Sequence, residues 1–290
     1  MRLQGVWPAV VTPVDAALRP DSAKAIEYYA ELLDGGADGL NVLGTTGEAM
    51  SFGAGTRAAF MEEIAASGLP VDRIMIGTGA ACLDDAAALT RRAFDLHFAA
   101  ALVMPPFFFR DAGDDGVVAY FERLFARAEP PRGGVLLYNF PAVSGIAFAA
   151  PLLDRLLAEF PEPIAGMKDS SNDRALQCGA IERHPGLAVF PSSEADLLEA
   201  RGRGAAGCIS ATIALSLPSA RRALDAGDVE EARRLACRRA AFANLPLVAA
   251  MKATIAKQRL DPGWERAMPP LQALPQSQRT SLEAALRRCL

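Results

Sequence analysis

Short apolar, β-rich runs alternate along the chain with longer Ala-, Leu-, Arg- and Glu-rich segments whose apolar residues recur at helical spacing. The short runs predict eight strands, over residues 5–12, 39–44, 74–78, 101–104, 135–139, 164–168, 187–190 and 207–210. The longer segments predict helices over 22–34, 56–67, 83–94, 116–127, 149–159 and 194–201. Asp21-Ser22 and Asp84-Asp85 stand at helix heads, where side-chain oxygens and negative charge suit free N–H groups. Gly35-Gly36 ends the first helix, since glycine enters the left-handed region without penalty. Beyond Ser210 the strand pattern stops, and helical spacing continues over 219–226, 229–243, 247–259 and 277–288. Pro262, Pro269, Pro270 and Pro275 mark an irregular connection before the last of these.

Strand–helix alternation with long crossovers implies parallel pairing. A doubly wound sheet is disfavoured because the first strand lacks a G-x-G-x-x-G phosphate turn. The expected architecture is α/β: a (β/α)8 TIM barrel over 1–215, with a C-terminal helical extension over 216–290 packed on it. A chain of 290 residues suits that plan better than two unrelated domains.

Composition narrows the chemistry. Hydrophobic residues make up 51% of the sequence and the net charge is -4, so no sequence-wide basic field attracts nucleic acid or anionic lipid. His97 and His184 are the only histidines, too few for most histidine-built metal centres. Cys82, Cys178, Cys208, Cys237 and Cys289 are scattered, odd in number and without a C-x-x-C pair, which argues for reduced thiols rather than a disulfide framework. The opening MRLQGVWPAVVTPVD lacks the apolar core and cleavage site of a secretory signal, and no uninterrupted apolar stretch reaches membrane-spanning length. A cytoplasmic protein is expected.

Barrel enzymes place their chemistry at the C-terminal ends of the strands. The sixth predicted strand ends in Gly166-Met167-Lys168-Asp169-Ser170-Ser171. A desolvated lysine there can lose its proton and attack a carbonyl to form a Schiff base, whereas pairing with Asp169 would leave it an inert ion. The fifth ends in Tyr138-Asn139-Phe140-Pro141, one strand away, where a phenol can relay protons or simply bond the backbone. The second ends in Gly44-Thr45-Thr46-Gly47-Glu48, either a cradle for a carboxylate or an ordinary strand-to-helix turn with Glu48 early in the helix.

Together these segments resemble the dihydrodipicolinate synthase and N-acetylneuraminate lyase family of lysine-dependent, class I aldolases. The resemblance runs from Pro8-x-x-x-Thr12-Pro13, through the three motifs above, to Gly207-x-Ile209-Ser210. It implies Lys168 as the Schiff-base lysine, Tyr138 as proton shuttle and Thr45-Thr46 as the site for the pyruvate carboxylate and hydroxyl relay. Ile209 would line the pyruvate pocket, with Gly47, Val143 and Ser170 around the substrate. It also implies a homotetramer built as a dimer of dimers and, because the imine is the electron sink, no organic cofactor or metal.

Departures narrow the substrate. Val143 stands where the synthases resemble Tyr-Asn-x-Pro-x-Arg-Thr, and an aliphatic side chain cannot grip a second carboxylate as guanidinium does. Phe107-Phe108-Phe109 replaces a tyrosine pair whose hydroxyl reaches a neighbouring subunit, and its bland reading is apolar packing. Ser192-Ser193-Glu194-Ala195 only partly matches the sugar-binding acids of sialic acid lyases, leaving Glu194 as a polyol contact or a first-turn helix carboxylate. Tyr-Asn-Phe-Pro-Ala-Val-Ser-Gly is most similar to members acting on 2-keto-3-deoxy sugar acids. Alternatives are the aspartate semialdehyde-dependent synthase, a Schiff-base dehydratase or decarboxylase, and a catalytically silent keto-acid-binding barrel. A phosphate-binding barrel is a further competitor, disfavoured because Pro191-Ser192-Ser193 and Ser210-Ala211-Thr212 offer hydroxyls but no glycine-rich cradle or nearby basic residue.

Overall fold

The computed structural model describes residues 3–289. Its eight strands are β1 (Gly5–Pro8), β2 (Leu40–Val42), β3 (Ile74–Gly77), β4 (Ala100–Val103), β5 (Val135–Asn139), β6 (Ile164–Asp169), β7 (Ala188–Pro191) and β8 (Gly207–Ser210). β2 to β7 form a parallel sheet in sequence order, and β1 pairs in parallel with β8. Two seams join these parts: Ala9 bridges Asn41, and the Ala206 amide donates to the Val189 carbonyl at 2.9 Å. The order therefore closes on itself as the expected barrel. Nearly every strand residue is buried, as befits parallel strands enclosed on both faces.

The barrel helices are α1 (Ser22–Asp34), α2 (Ala54–Ala66), α3 (Leu83–Asp95), α4 (Asp114–Ala128), α5 (Pro141–Ser144), α6 (Ala150–Glu159), α7 (Arg174–Arg183) and α8 (Leu197–Gly202). After β8 come α9 (Leu217–Ala226), α10 (Val229–Ala241), α11 (Leu247–Arg259) and α12 (Gln276–Arg287). One apolar cluster runs from Val6, Leu40 and Ile64 in the barrel to Leu217, Leu235, Ile255 and Leu282 in these last helices. The Asp21 side chain caps α1 by accepting from the Lys24 amide, as the sequence predicts. At its far end the left-handed residue is Gly36, not Gly35.

Four differences from the sequence-based expectations have physical causes. The first strand stops at Pro8, because residues 9–12 turn to brace the loop after β2, with the Thr12 hydroxyl donating to the Gly47 carbonyl at 2.9 Å. α7 escapes the periodicity because it buries only Ala180 fully and so shows no apolar stripe. α8 begins at Leu197 rather than 194, leaving Glu194 in the preceding bend. Finally, Cys237 and Cys289 form a disulfide, with Cα atoms 5.6 Å apart, correcting the expectation of reduced thiols. They are separated by 52 positions in sequence, and only the packing of the chain end against α10 brings them together. Cys82, Cys178 and Cys208 remain free.

Candidate active site

β5 and β6 pair so that Tyr138 lies beside Lys168 and Asn139 beside Asp169. The pairing continues one residue further, where the Ser170 amide donates to the Asn139 carbonyl at 2.8 Å. Lys168 is 4% exposed and forms no ion pair among the described residues; its Nζ stands 4.5 Å from the centroid of the Tyr138 ring. The Asp169 carboxylate is engaged elsewhere. It accepts from Asn139 Nδ2 at 2.6 Å, Ser171 Oγ at 2.8 Å and Gln177 Nε2 at 2.7 Å. Asn139 is held in turn by the Phe148 amide, which donates to its Oδ1 at 3.0 Å. The ion-pair reading of Lys168 thus gives way to a buried amine facing an aromatic ring.

The Tyr138 hydroxyl lies 3.2 Å from Thr45 Oγ1, a link between the ends of β5 and β2. In the turn carrying Thr45, the left-handed residues are Leu43 and Glu48 rather than either glycine. The glycines serve close approach: a Cβ at Gly44 would stand 2.7 Å from Asn41 Oδ1, and one at Gly47 would stand 3.1 Å from the Leu43 nitrogen. Nor does Glu48 head a long helix. Its buried carboxylate pairs with Lys252 of α11, a residue that no sequence motif singles out.

Lys168, Tyr138, Thr45, Thr46, Ser170 and Ile209 line one cavity of about 310 Å³ at the C-terminal end of the barrel. Gly47 and Val143 are not among its lining residues. Gly47 packs under the turn, and half-buried Val143 packs against the apolar group containing Met104 and Tyr138. The cavity's outer wall comes from the C-terminal helices: Arg239 of α10, the residues opening α11, and Leu271 and Gln272 from the connection before α12. Arg239 makes no ion pair among the described residues, and its Nη1 lies 3.4 Å from Thr212 Oγ1. Thus a basic residue does stand beside the loop after β8, supplied by tertiary packing rather than by neighbouring sequence. Nothing in the helical pattern of residues 229–241 marks Arg239 as different from the other arginines there.

Glu194 takes neither role expected of it. It is buried and accepts from Ser210 Oγ at 2.5 Å and from the Thr212 hydroxyl, so it braces the loops after β7 and β8. Burial, reinforced by this carboxylate, pushes the Cys208 thiol well up and removes it as a thiolate nucleophile.

A closed parallel barrel thus carries at its mouth a buried lysine that has no ion pair among the described residues, beside a tyrosine bonded to a threonine. The sequence profile of the dihydrodipicolinate synthetase family matches residues 2–289, and the chain belongs to that family, a class of carbon–carbon lyases. An uncharacterized DapA-like lyase of Chloroflexus aurantiacus is 36% identical over 235 residues, covering 79% of this chain and 78% of the relative. The dihydrodipicolinate synthase structure from Agrobacterium tumefaciens superposes with a TM-score of 0.92 at 26% identity, covering 99% of each chain. A variant of Sulfolobus solfataricus 2-keto-3-deoxygluconate aldolase shares the fold, with a TM-score of 0.84 at 19% identity over 98% of this chain and 95% of that one.

Proposed function

We propose that this protein is a class I aldolase that reversibly cleaves a 2-keto-3-deoxy sugar acid into pyruvate and an aldehyde. The carrying observation is the isolation of Lys168: buried, without a carboxylate partner among the described residues, and facing Tyr138. The free Nζ amine adds to the substrate's C2 carbonyl, and loss of water leaves a protonated imine. With that imine as electron sink, deprotonation of a 4-hydroxyl breaks the C3–C4 bond and releases the aldehyde. The electron pair stays on C3 as an enamine, which is protonated before water hydrolyses the imine and frees pyruvate. Tyr138 and Thr45, joined at 3.2 Å, carry the protons. Thr46 and the turn amides receive the substrate carboxylate, Ser170 lies beside the imine, and Ile209 lines the pyruvate methyl.

This reading takes the protein as a cytoplasmic homotetramer that needs no cofactor or metal, with a catalytic barrel over 1–215 and the extension over 216–290 packed on it. Exposed Phe108 and Phe109, set edge to face at 5.2 Å, suit a contact between subunits.

Arg239 favours one second reading. An unpaired guanidinium in the cavity wall can hold the carboxylate of aspartate semialdehyde that Val143 cannot, which is the chemistry of a 4-hydroxy-tetrahydrodipicolinate synthase. Incubation with pyruvate and sodium borohydride, followed by peptide mapping, tests the common step: a reduced pyruvyl adduct on Lys168, absent in Lys168→Ala, is expected. Lack of an adduct at every pH would overturn both readings. Turnover of 2-keto-3-deoxy sugar acids without consumption of aspartate semialdehyde supports the first, and the reverse supports the second.

A further inference from the structure

Besides apolar packing, the motif turn after β2 bonds to the C-terminal extension through the Glu48 side chain. The Glu48 amide donates to the Thr45 carbonyl at 3.1 Å, so Glu48 closes the turn that presents Thr45 and Thr46. One carboxylate oxygen accepts from the Met268 amide at 2.7 Å, and the other pairs with Lys252. The Lys252 ammonium also donates to the Arg266 carbonyl at 2.7 Å. Both side chains are 0% exposed. Each partner leads back to the cavity by a short stretch of chain. α11, which carries Lys252, begins with the lining residues Leu247, Val248 and Ala249, while the irregular connection holding Arg266 and Met268 continues to Leu271 and Gln272.

We infer that Glu48 and Lys252 are positioning residues that lock the substrate-carboxylate turn to the C-terminal extension, making that extension a working wall of the active site. The inference rests on the proposed role of Thr45 and Thr46. Chemistry gives the pair little reason to exist for stability alone. Two desolvated charges roughly break even against well-packed apolar groups, and burial lowers the ammonium's proton affinity even with Glu48 opposing it. What the pair supplies is direction: a carboxylate with two fixed partners on two segments holds the turn's backbone in one place, in the left-handed conformation that Glu48 adopts at φ 56°. A turn carrying the substrate's hydrogen-bond donors needs that fixity, because displacement by about 1 Å can cost two orders of magnitude.

The test uses the full chain and the pyruvate–borohydride reaction at Lys168, read as half-saturating pyruvate and as rate at saturation. In E48Q/K252M, the introduced carboxamide oxygen can still accept from the Met268 amide and no unpaired buried charge is left. Half-saturation is expected to rise about tenfold or more. The saturated rate should fall by less than half-saturation rises, because Lys168 and Tyr138 sit on β6 and β5, outside the pair's contacts, and the turn touches the proton path only through Thr45. A folded double variant with unchanged half-saturation would overturn the inference while leaving the aldolase reading intact; absence of any adduct on the parent protein would overturn the aldolase reading and the inference with it. Hydrogen exchange on the parent protein covers the case of a variant that does not fold. Pyruvate should protect peptides spanning 263–270, which lie outside the cavity lining, together with 43–49; protection confined to 43–49 would count against the inference.

Discussion

At the scale of single residues, the chemistry follows from which polar atoms are left without partners. Asp169 is satisfied by three side-chain donors and Glu194 by two hydroxyls, so each is committed to structure, while Lys168 has no ion pair among the described residues. Tyr138→Phe retains the buried ring and its packing but removes the hydroxyl that meets Thr45. Turnover should fall by about 100-fold or more, with Lys168 still the residue modified by borohydride; a loss below about threefold would move proton transfer to another group. Much of the cavity lining was legible in sequence: motifs at predicted strand ends put Lys168, Tyr138, Thr45 and Thr46 in view, and the family resemblance added Ser170 and Ile209. Arg239 and Lys252 were not, since an arginine or lysine on an amphipathic helix reads the same whether it meets water or a cavity.

At the scale of elements, strands were easier to find than the helices that depend on partners. Continuous apolar runs located all eight strands, because a parallel strand is buried on both faces whatever its neighbours. α7 was missed because it covers the barrel with little apolar surface, and the Cys237–Cys289 bond was missed because its ends meet only where α10 and the chain terminus pack together. That bond closes a long loop around α11 and α12, so its loss should lower stability by about 2–4 kcal/mol. Intact mass without reductant should be lighter by a pair of hydrogens than after reduction, and Cys237→Ser should melt at lower temperature than the parent. Equal melting would show that packing alone holds the last helix.

Across the whole molecule, charges brace the extension internally and, through Asp261 and Lys24, help the shared core tie it to the barrel. The Glu231 carboxyl lies below its ordinary value of 4.5 because the Ser219 hydroxyl and Arg222 bond its charged form. Asp261 is lowered by Lys24 of α1, and Glu283 by Lys257. A depressed carboxyl binds its proton less readily folded than unfolded, so its stabilisation is complete above the ordinary value and is lost as pH falls through the lowered one. The melting temperature should therefore hold steady toward pH 4.5 and drop below it, and Glu231→Gln should flatten part of that drop; an unchanged acid limb would assign the loss to other groups. The sequence by itself determined the alternation of strand and helix, the barrel it closes and the strand-end lysine with its neighbouring tyrosine, because these depend on local burial and on positions along single strands. Only the tertiary structure decided what surrounds them: the freedom of Lys168 from Asp169, the anchoring of Glu48 on Lys252, the arrival of Arg239 at the cavity and the joining of Cys237 to Cys289. Each of these is a contact between segments far apart in the chain, and its energy depends on distances that no spacing along the sequence encodes.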